Sequence, residues 1–447
     1  MTENKMGVMS EGRLLLTMSV PAMLSMLIQA FYNVIDSIFV AQLGEDALTA
    51  ISLVFPVQML LIAVGVGTGV GINSVIARRL GERNVESAND AATHGFILAV
   101  MNWVIFAVFG LFFVKSFVAA FSESPEVIEY GTQYLSVISV FSLFLMIQLN
   151  IEKILQATGN MVLPMICSLI GAIVKIILNP VLVFGLMGAP ELGIRGAAIA
   201  TVGGNLVAMT LGLILLFGGS HEISIRFKGF RIKARTLKDI YTVGVPAIAM
   251  QSIGSVMVAG MNGILIEYSQ AAVAVLGVYF RLQNFIFMPV FGMMQGAMPI
   301  FGFNFGAKKK DRLLRSFKWT TLFAVSLMLT GTVIFLIFPT AFMELFNASE
   351  EMMSIGVRAL RVLSLCFVPA AFGITNSTLF QALGHGVLSL LVSLLRQLIL
   401  ILPLAWLLGH FFGLDAIWYS FPLAEGFAIF ASAWFLRYLY KKEIKDL

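Results

Sequence analysis

The sequence predicts an all-α polytopic membrane protein: twelve transmembrane helices in two homologous six-helix halves, related by a parallel pseudo-twofold axis around a central cavity. Three observations predict it. The chain is 59% hydrophobic and only 12% charged, with a mean hydropathy of +0.93 over 447 residues, which leaves too little polar surface to coat a soluble globule. About a dozen apolar runs, each near the roughly 20 residues that cross a hydrocarbon core about 30 Å thick, are separated by short polar breaks. Finally, the chain matches itself without a gap at a single fixed offset, the one that places Val20 on Val245.

The runs lie at 14–40, 50–77, 93–121, 131–156, 162–187, 194–217, 239–266, 272–303, 317–346, 356–382, 387–409 and 415–438. Backbone groups in lipid must be satisfied internally, and these residues do not alternate as barrel strands would, so the runs are expected to be helices. Ahead of them, "MTENKMGVMSEGR" is polar, and the run after it is too long for a secretory h-region and has no small-residue cleavage site. The first span is therefore expected to be retained. In span 2, Gly65, Gly67, Gly69 and Gly71 permit close helix approach. Pro56, Pro180, Pro289, Pro299 and Pro369 are expected to break or bend their helices. Cys167 and Cys366 sit in apolar runs without metal-ligand spacing and read as buried thiols.

The net charge of +5 would suit a nucleic-acid partner, but the positions of the charges explain it better. Most lysines and arginines fall before span 1, after spans 2, 6 and 8, and after span 12; they include Arg78, Arg79 and Arg83, the run Arg226 to Lys238, and Lys308 to Lys318. The opposite loops carry Glu45, Asp46, Glu123, Glu126, Glu191, Glu350 and Asp415. This is the positive-inside pattern, and it puts both termini in the cytoplasm of a protein of the cell membrane. No nucleic-acid partner is expected.

In the repeat, Val20-Pro21-Ala22 falls on Val245-Pro246-Ala247, Gln58 on Gln283, and Gly67, Gly71 and Gly81 on Gly292, Gly296 and Gly306. "QATG" at 156–159 falls on "QALG" at 381–384. The expected organisation is an N-terminal six-helix lobe, 1–217, a basic cytoplasmic linker, 218–238, and a C-terminal six-helix lobe, 239–447. An even number of spans per half inserts both halves the same way round, and such repeats enclose a midplane cavity that suits alternating access.

Asp36 breaks the repeat, since its counterpart is Met261. A charge at mid-helix costs about 2.5–3.5 kcal/mol on insertion scales, so it is kept by pairing or by function. Gln29, Asn33 and Asp36 follow i, i+4, i+7 on one stripe of span 1, and Lys175 and Asn179 are one turn apart on span 5. Asp36 is expected to meet Lys175 or Asn179. There it would either exchange a proton in competition with the ammonium, or bind sodium with oxygens from Asn33, Asn179 and Thr201, or form a static pair joining two helices. Because a lysine repels sodium from the same pocket, the proton is favoured.

"YNVIDSIFVAQLG" of span 1, "IILNPVLVFG" of span 5, "GAAIATVGGN" opening span 6 and "FMPVFGMMQGAMPIFGFNFGAKK" of span 8 together resemble the multidrug and toxic compound extrusion (MATE) family of cation-coupled antiporters, over essentially the whole chain. The resemblance implies secondary active export of amphipathic drugs or toxic metabolites in exchange for H+ or Na+. In the prokaryotic branch with a span 1 aspartate, that residue is implicated in cation coupling, which the resemblance carries to Asp36. That branch typically has Asn and Asp four apart on span 5 and a Thr at the start of span 6. Here those positions are Lys175, Asn179 and Thr201: one carboxylate is lost and a cation added. Another branch carries acids in the C-terminal half, where Gln251 and Asn262 are neutral here.

Methionines and aromatic residues on spans 7 and 8 suit varied apolar ligands, and rings suit cations. The expected substrate contacts are Gln29, Tyr32, Gln251, Met257, Met261, Tyr279, Gln283 and Phe287. Flat amphipathic cations are the expected cargo of a monomer without cofactors. The competing reading is a flippase for a lipid-linked precursor, whose diphosphate cargo calls for a ring of Arg and Lys, whereas only Lys175, Arg281 and Arg396 are available. An enzyme would need a nucleophile–base set or a metal cluster at mid-depth, and neither GxSxG nor HExxH occurs. Arg281, Arg396 and Glu425 are the charges expected to pair within the C-terminal half, with outward snorkelling as the alternative for Arg281.

Overall fold

The computed structural model describes residues 4–219 and 222–447, with every side chain there except those of Asn33, Val34, Ser37 and Ala41. Among the described residues every regular element is a helix. A short turn, α1 (Lys5–Val8), is capped by Asn4, whose side chain accepts from the Met6 N–H at 2.9 Å. The first six passes are α2 (Glu11–Ala41), α3 (Glu45–Gly81), α4 (Val85–Phe112), the pair α6 (Pro125–Val140) and α7 (Ser142–Ala157), α8 (Val162–Phe184) and α9 (Gly193–Gly218), with a short α5 (Val114–Ala119) between α4 and α6.

The second six are α10 (Ala234–Leu265), α11 (Gln270–Gly306), α12 (Lys310–Ile337), the pair α14 (Glu350–Ser364) and α15 (Phe367–Ala382), the pass from α16 (Gly386–Leu394) to α17 (Leu402–Phe412), and α19 (Ser420–Leu439). The short α13 (Pro339–Leu345) and α18 (Leu414–Ile417) lie between passes. Among the described residues nine helices are long and apolar enough to cross a membrane alone, and the two bent pairs make eleven; α19 is the twelfth. Passes 3 and 9 stop at Phe112 and Ile337, short of the 121 and 346 that the apolar pattern suggested, because α5 and α13 continue the hydrophobic run as separate helices.

The repeat is reproduced in the elements themselves. α3 and α11, and likewise α4 and α12, begin and end at repeat-equivalent positions: Glu45 with Gln270, Gly81 with Gly306, Val85 with Lys310 and Phe112 with Ile337. The left-handed turn residues recur too: Arg83 at φ 59° with Lys308 at φ 55°, and Gly188 at φ 82° with Gly413 at φ 83°.

The sharp bends of 46° and 45° in passes 4 and 10 fall after Val140 and Ser364, not at a proline. In both, a side chain from the preceding pass takes the carbonyl at the break. The Trp103 indole N–H donates to the Val140 oxygen at 2.7 Å, and the Thr332 hydroxyl to the Ser364 oxygen at 3.0 Å. A carbonyl satisfied from outside the helix no longer holds its i+4 partner, and the ladder breaks there.

The chain forms two compact units, Leu24–Ile248 and Ala249–Leu447 with the segment up to Met23. The division falls inside α2 and α10, and its two points, before Leu24 and before Ala249, are again repeat-equivalent. Glycines explain the close packing at these places. A Cβ on Gly67 would lie 2.8 Å from the Ile248 backbone nitrogen, and one on Gly71 would strike the Ile240 carbonyl oxygen. Their repeat mates meet α2 in the other unit, Gly292 at the Met23 Cα (2.6 Å) and Gly296 at the Ser19 nitrogen (2.9 Å). Only glycine lets backbones approach so closely.

In the Leu24–Ile248 unit, Val54, Leu61, Phe106, Tyr134 and Met146 share one core. In the other, Tyr279, Phe287 and Phe335 gather around Phe367 at 6.4, 5.4 and 5.1 Å. Apolar side chains such as Ile105 and Phe112 on α4 and Phe430 and Trp434 on α19 stand exposed, as side chains facing lipid do.

Segment 222–233 is tied to α4. Asn89 accepts the Ser224 N–H at 2.8 Å, the Thr93 hydroxyl accepts that of Arg226 at 3.3 Å, and His94 Nε2 accepts that of Lys233 at 2.9 Å. Phe230 packs edge-on against the His94 ring at 4.6 Å. His221 lies outside the described residues.

Candidate functional site

The site is built where α2, α6, α8 and α9 meet within the Leu24–Ile248 unit. Asp36 is half-buried, and its Oδ1 accepts a hydrogen bond from Asn179 Nδ2 at 2.6 Å. Asn179 is itself 1% exposed, and its own oxygen has no protein partner among the described residues; the Asn205 oxygen on α9 is likewise unpaired. One turn before Asp36, the Tyr32 hydroxyl meets Thr201 Oγ1 at 3.1 Å. The Lys175 Nζ stands over the Tyr32 ring, 5.1 Å from its centroid, in cation–π range. Its ammonium interacts with the Asp36 carboxylate across this pocket, with no direct ion pair between them among the described residues.

Thus Asp36, Lys175, Asn179, Thr201 and Tyr32 come together as one polar group in an apolar unit. The side chain of Asn33, the remaining predicted member, lies outside the described residues. Gln29 is exposed. The face of α2 that meets α8 and α9 therefore runs through Tyr32 and Asp36, at i and i+4.

Two members were not read from the sequence. Tyr134 on α6 is 2% exposed, beside Asp36 and Tyr32, with its hydroxyl at the Gln58 amide. Gly204 on α9 lies under the Lys175 stem: a Cβ there would overlap Lys175 Cγ, lie 2.8 Å from its Cε and 2.7 Å from the Gly171 carbonyl oxygen. The available signal was the Gly203-Gly204 pair two residues after Thr201, since a lysine stem needs an empty place on the facing helix.

Toward the α7 end of the unit lies a second polar group. Glu152 Oε1 accepts from Ser168 Oγ at 2.7 Å and from Gln148 Nε2 at 3.1 Å. The adjacent Lys153 donates to Gln156 Oε1 at 2.9 Å.

The remaining predicted contacts lie in the other unit. Met257, Met261, Tyr279 and Phe287 are buried, Gln283 is half-buried and Gln251 is exposed. The Tyr279 hydroxyl is 3.7 Å from Cys366 Sγ. Nearby, Arg396 Nη1 donates to Glu425 Oε1 at 2.9 Å, a pairing the sequence suggested among its three charges within the C-terminal spans, while Arg281 is exposed. Arg396 sits in a π-helical stretch, Leu395–Ile401. Among the described residues no group of three His, Cys, Asp or Glu side chains converges to hold a metal ion.

Known proteins resemble this chain along its whole length. It is 27% identical to the FAD transporter of Shewanella oneidensis over 93% of this chain and 92% of that one. It is 24% identical to the multidrug export protein MepA of Staphylococcus haemolyticus over 91% and 89%. Among solved structures, a MATE crystallised in complex with MaL6 superposes with a TM-score of 0.93 at 26% identity, covering all of both chains. A multidrug resistance MATE transporter of the MOP superfamily in an outward-facing conformation superposes with 0.93 at 25%, over 100% and 99%. These relatives are transporters, not enzymes. The MatE family model matches residues 21–181 and 246–407, corresponding parts of the two halves, and the chain belongs to the MatE family of membrane transporters.

Proposed function

We propose that the protein is an antiporter that exports amphipathic cations in exchange for protons, by alternating access, as a monomer in the cell membrane with both termini in the cytoplasm. The observation that carries this reading is the half-buried Asp36 carboxylate, held by Asn179 at 2.6 Å with the Lys175 ammonium nearby. The repeat-equivalent position in the other half is Met261. An acid in an apolar unit is a place where an ion can be loaded and released.

The surrounding donors favour a proton over sodium. Asn179 turns its N–H toward the carboxylate, and Lys175 adds a fixed positive charge. A sodium ion would need oxygens in those two places. The basic loops of one side support the cytoplasmic assignment. Cargo contacts are assigned to Gln29 and Tyr32 in one unit and to Gln251, Met257, Met261, Tyr279, Gln283 and Phe287 in the other, where rings and thioethers can adapt to flat cations.

The test is ethidium uptake into inverted membrane vesicles, under a proton gradient alone and then a sodium gradient alone. Proton-driven uptake that Asp36→Asn abolishes is expected. Uptake driven by sodium alone would replace the proton in this reading, and uptake driven by neither would sink the antiporter reading. FAD, named in the Shewanella oneidensis relative, is added as a competitor. Accumulation of FAD and not ethidium would overturn the cationic cargo while leaving the coupling intact.

A further inference from the structure

We propose that segment 222–235 is a docking strap for anionic phospholipid in the leaflet on the basic-loop side, with Arg226, Lys228, Arg231 and Arg235 holding headgroup phosphates and Phe227 reaching the acyl chains.

The strap lies on a lipid-facing stripe of α4. Asn89, Thr93, Phe96, Val100, Val104 and Leu111 follow one another at intervals of three, four or seven residues and so share one face of that helix. Toward Phe112 the face is bare: Val100, Val104 and Leu111 stand exposed on a helix long and apolar enough to cross a membrane. Toward Val85 the strap covers it. Asn89 and Thr93 take the N–H groups of Ser224 and Arg226, and Phe96, 7% exposed, is met edge-on by Phe227 at 6.1 Å. The outer side of the strap therefore continues the surface that Val100 and Val104 present to lipid.

Its depth is that of the headgroups. At about 1.5 Å per residue, Phe96 is about 24 Å from Phe112 at the far end of α4, inside a hydrocarbon core about 30 Å thick, and Asn89 is about 35 Å from it, outside that core. The strap crosses this boundary. At the inner level the Phe227 ring is exposed, with Arg226 and Lys228 exposed on either side of it in the chain. An exposed ring between two cations suits a membrane interface, the ring at the acyl boundary and the charged heads at the phosphates. Gly229, at φ 76°, then turns the chain. Phe230 packs on His94, and Arg231, Ile232 and Arg235 are exposed beyond the turn.

The cations are available to anions. Lys233 is taken by Asp90, whereas among the described residues no carboxylate pairs with Arg226, Lys228, Arg231 or Arg235. Glu222 is the one acid in the segment. The backbone ties to Asn89, Thr93 and His94 hold the strap in place before a lipid arrives, so little ordering is lost on binding. A guanidinium can take a phosphate through two N–H groups at once. Each basic residue close to an anionic membrane surface strengthens attachment about fivefold.

The inference stands whichever ion drives transport. In the test, binding of phosphatidylglycerol to the purified full-length chain is titrated in detergent by native mass spectrometry, with phosphatidylcholine as the control. Wild type is expected to prefer phosphatidylglycerol. Arg226→Gln combined with Lys228→Gln is expected to weaken the tightest-bound phosphatidylglycerol about 25-fold and to leave phosphatidylcholine within about twofold. This pair of changes spares Arg231, Lys233, Arg235 and Lys238, which keep the loop basic and the chain oriented. Depth is read separately, from a nitroxide attached through Phe227→Cys, the native Cys167 and Cys366 being buried. In nanodiscs containing phosphatidylglycerol the label is expected to be more accessible to oxygen than to a water-soluble nickel chelate.

Equal phosphatidylglycerol binding by wild type and the double variant would overturn the proposal. So would a nitroxide that the nickel chelate reaches freely, the result for a strap that faces water and serves a soluble partner. Displacement of phosphatidylglycerol by millimolar inorganic phosphate would mean that a free ion is held instead, and would overturn it too. Should the double variant fail to fold, Phe227→Ser decides, because it keeps every charge: binding weakened about threefold or more supports the proposal, and unchanged binding overturns it.

Discussion

Gly204 and its neighbour Gly203 should respond oppositely to the same change. A methyl at Gly204 would overlap Lys175 Cγ and lie 2.7 Å from the Gly171 carbonyl oxygen, whereas at Gly203 it meets only the flexible end of Leu178, at 3.0 Å. The lysine stem can move but the Gly171 backbone cannot without shifting α8, so Gly204→Ala overpacks the α8–α9 contact at a cost of about 1–3 kcal/mol. Removing a helical glycine returns roughly 0.5–1 kcal/mol of backbone entropy, leaving a net loss of up to about 2.5 kcal/mol.

At Gly203 the same gain is opposed by little, and the variant is expected to be neutral or more stable. Displacing Lys175 also takes its ammonium off the Tyr32 ring, forfeiting a contact worth about 0.5–2 kcal/mol, so Gly204→Ala should lose proton-driven uptake as well. The assay is the thermal unfolding midpoint of the purified protein in detergent, paired with ethidium transport in proteoliposomes. If Gly204→Ala is as stable and active as Gly203→Ala, the packing argument for the Lys175 position is wrong.

Three further outcomes are expected. Breaking the Arg396–Glu425 pair with Glu425→Gln leaves a half-buried guanidinium without its partner and should destabilise by about 1.5–3 kcal/mol; the double change Arg396→Met with Glu425→Leu should recover most of it, and equal losses for single and double would refute the pairing. Trp103→Phe deprives the Val140 carbonyl of its indole donor, which should cost about 1–3 kcal/mol and change a spin-label distance across the 46° bend; an unchanged distance would mean that the bend has another cause. His94→Phe removes the acceptor of the Lys233 N–H, so hydrogen exchange in the 222–233 segment should quicken, and unchanged protection would show that this segment is held by its other contacts.

Much of the fold was legible because its strongest determinants are local or repetitive. A bilayer forces the helix on any apolar run of sufficient length, so the passes emerged from hydropathy, although passes 3 and 9 end well before the apolar runs do, at Phe112 and Ile337. The fixed offset of the internal repeat marked the halves, and the helices α3, α4, α11 and α12 obey it at both ends. The pairing of Asp36 with span 5 was legible too, since an isolated carboxylate at mid-helix requires a partner and span 5 held polar groups at a similar depth. Less legible were the bends of passes 4 and 10. They depend on Trp103 and Thr332 reaching a carbonyl on another helix, and no local pattern in α6 or α14 announces a donor that comes from elsewhere.

Periodicity within span 1 specified a set of faces without specifying which one turns inward. Gln29, Asn33 and Asp36 share a stripe, yet Tyr32 is the buried neighbour of Asp36 and Gln29 is exposed, because rotation about the helix axis is set by what α8 and α9 present. The same holds for Gly204, whose lack of a side chain has meaning only once the Lys175 stem lies across it. Composition and repetition alone established a membrane protein of two like halves, with an acid in span 1 that the other half lacks at the equivalent position, since both follow from the chain and its solvent. Which oxygen meets which nitrogen at that acid came from the packing of α2, α6, α8 and α9, because a contact between helices depends on their rotation and depth, and those are settled only when all the neighbours pack together.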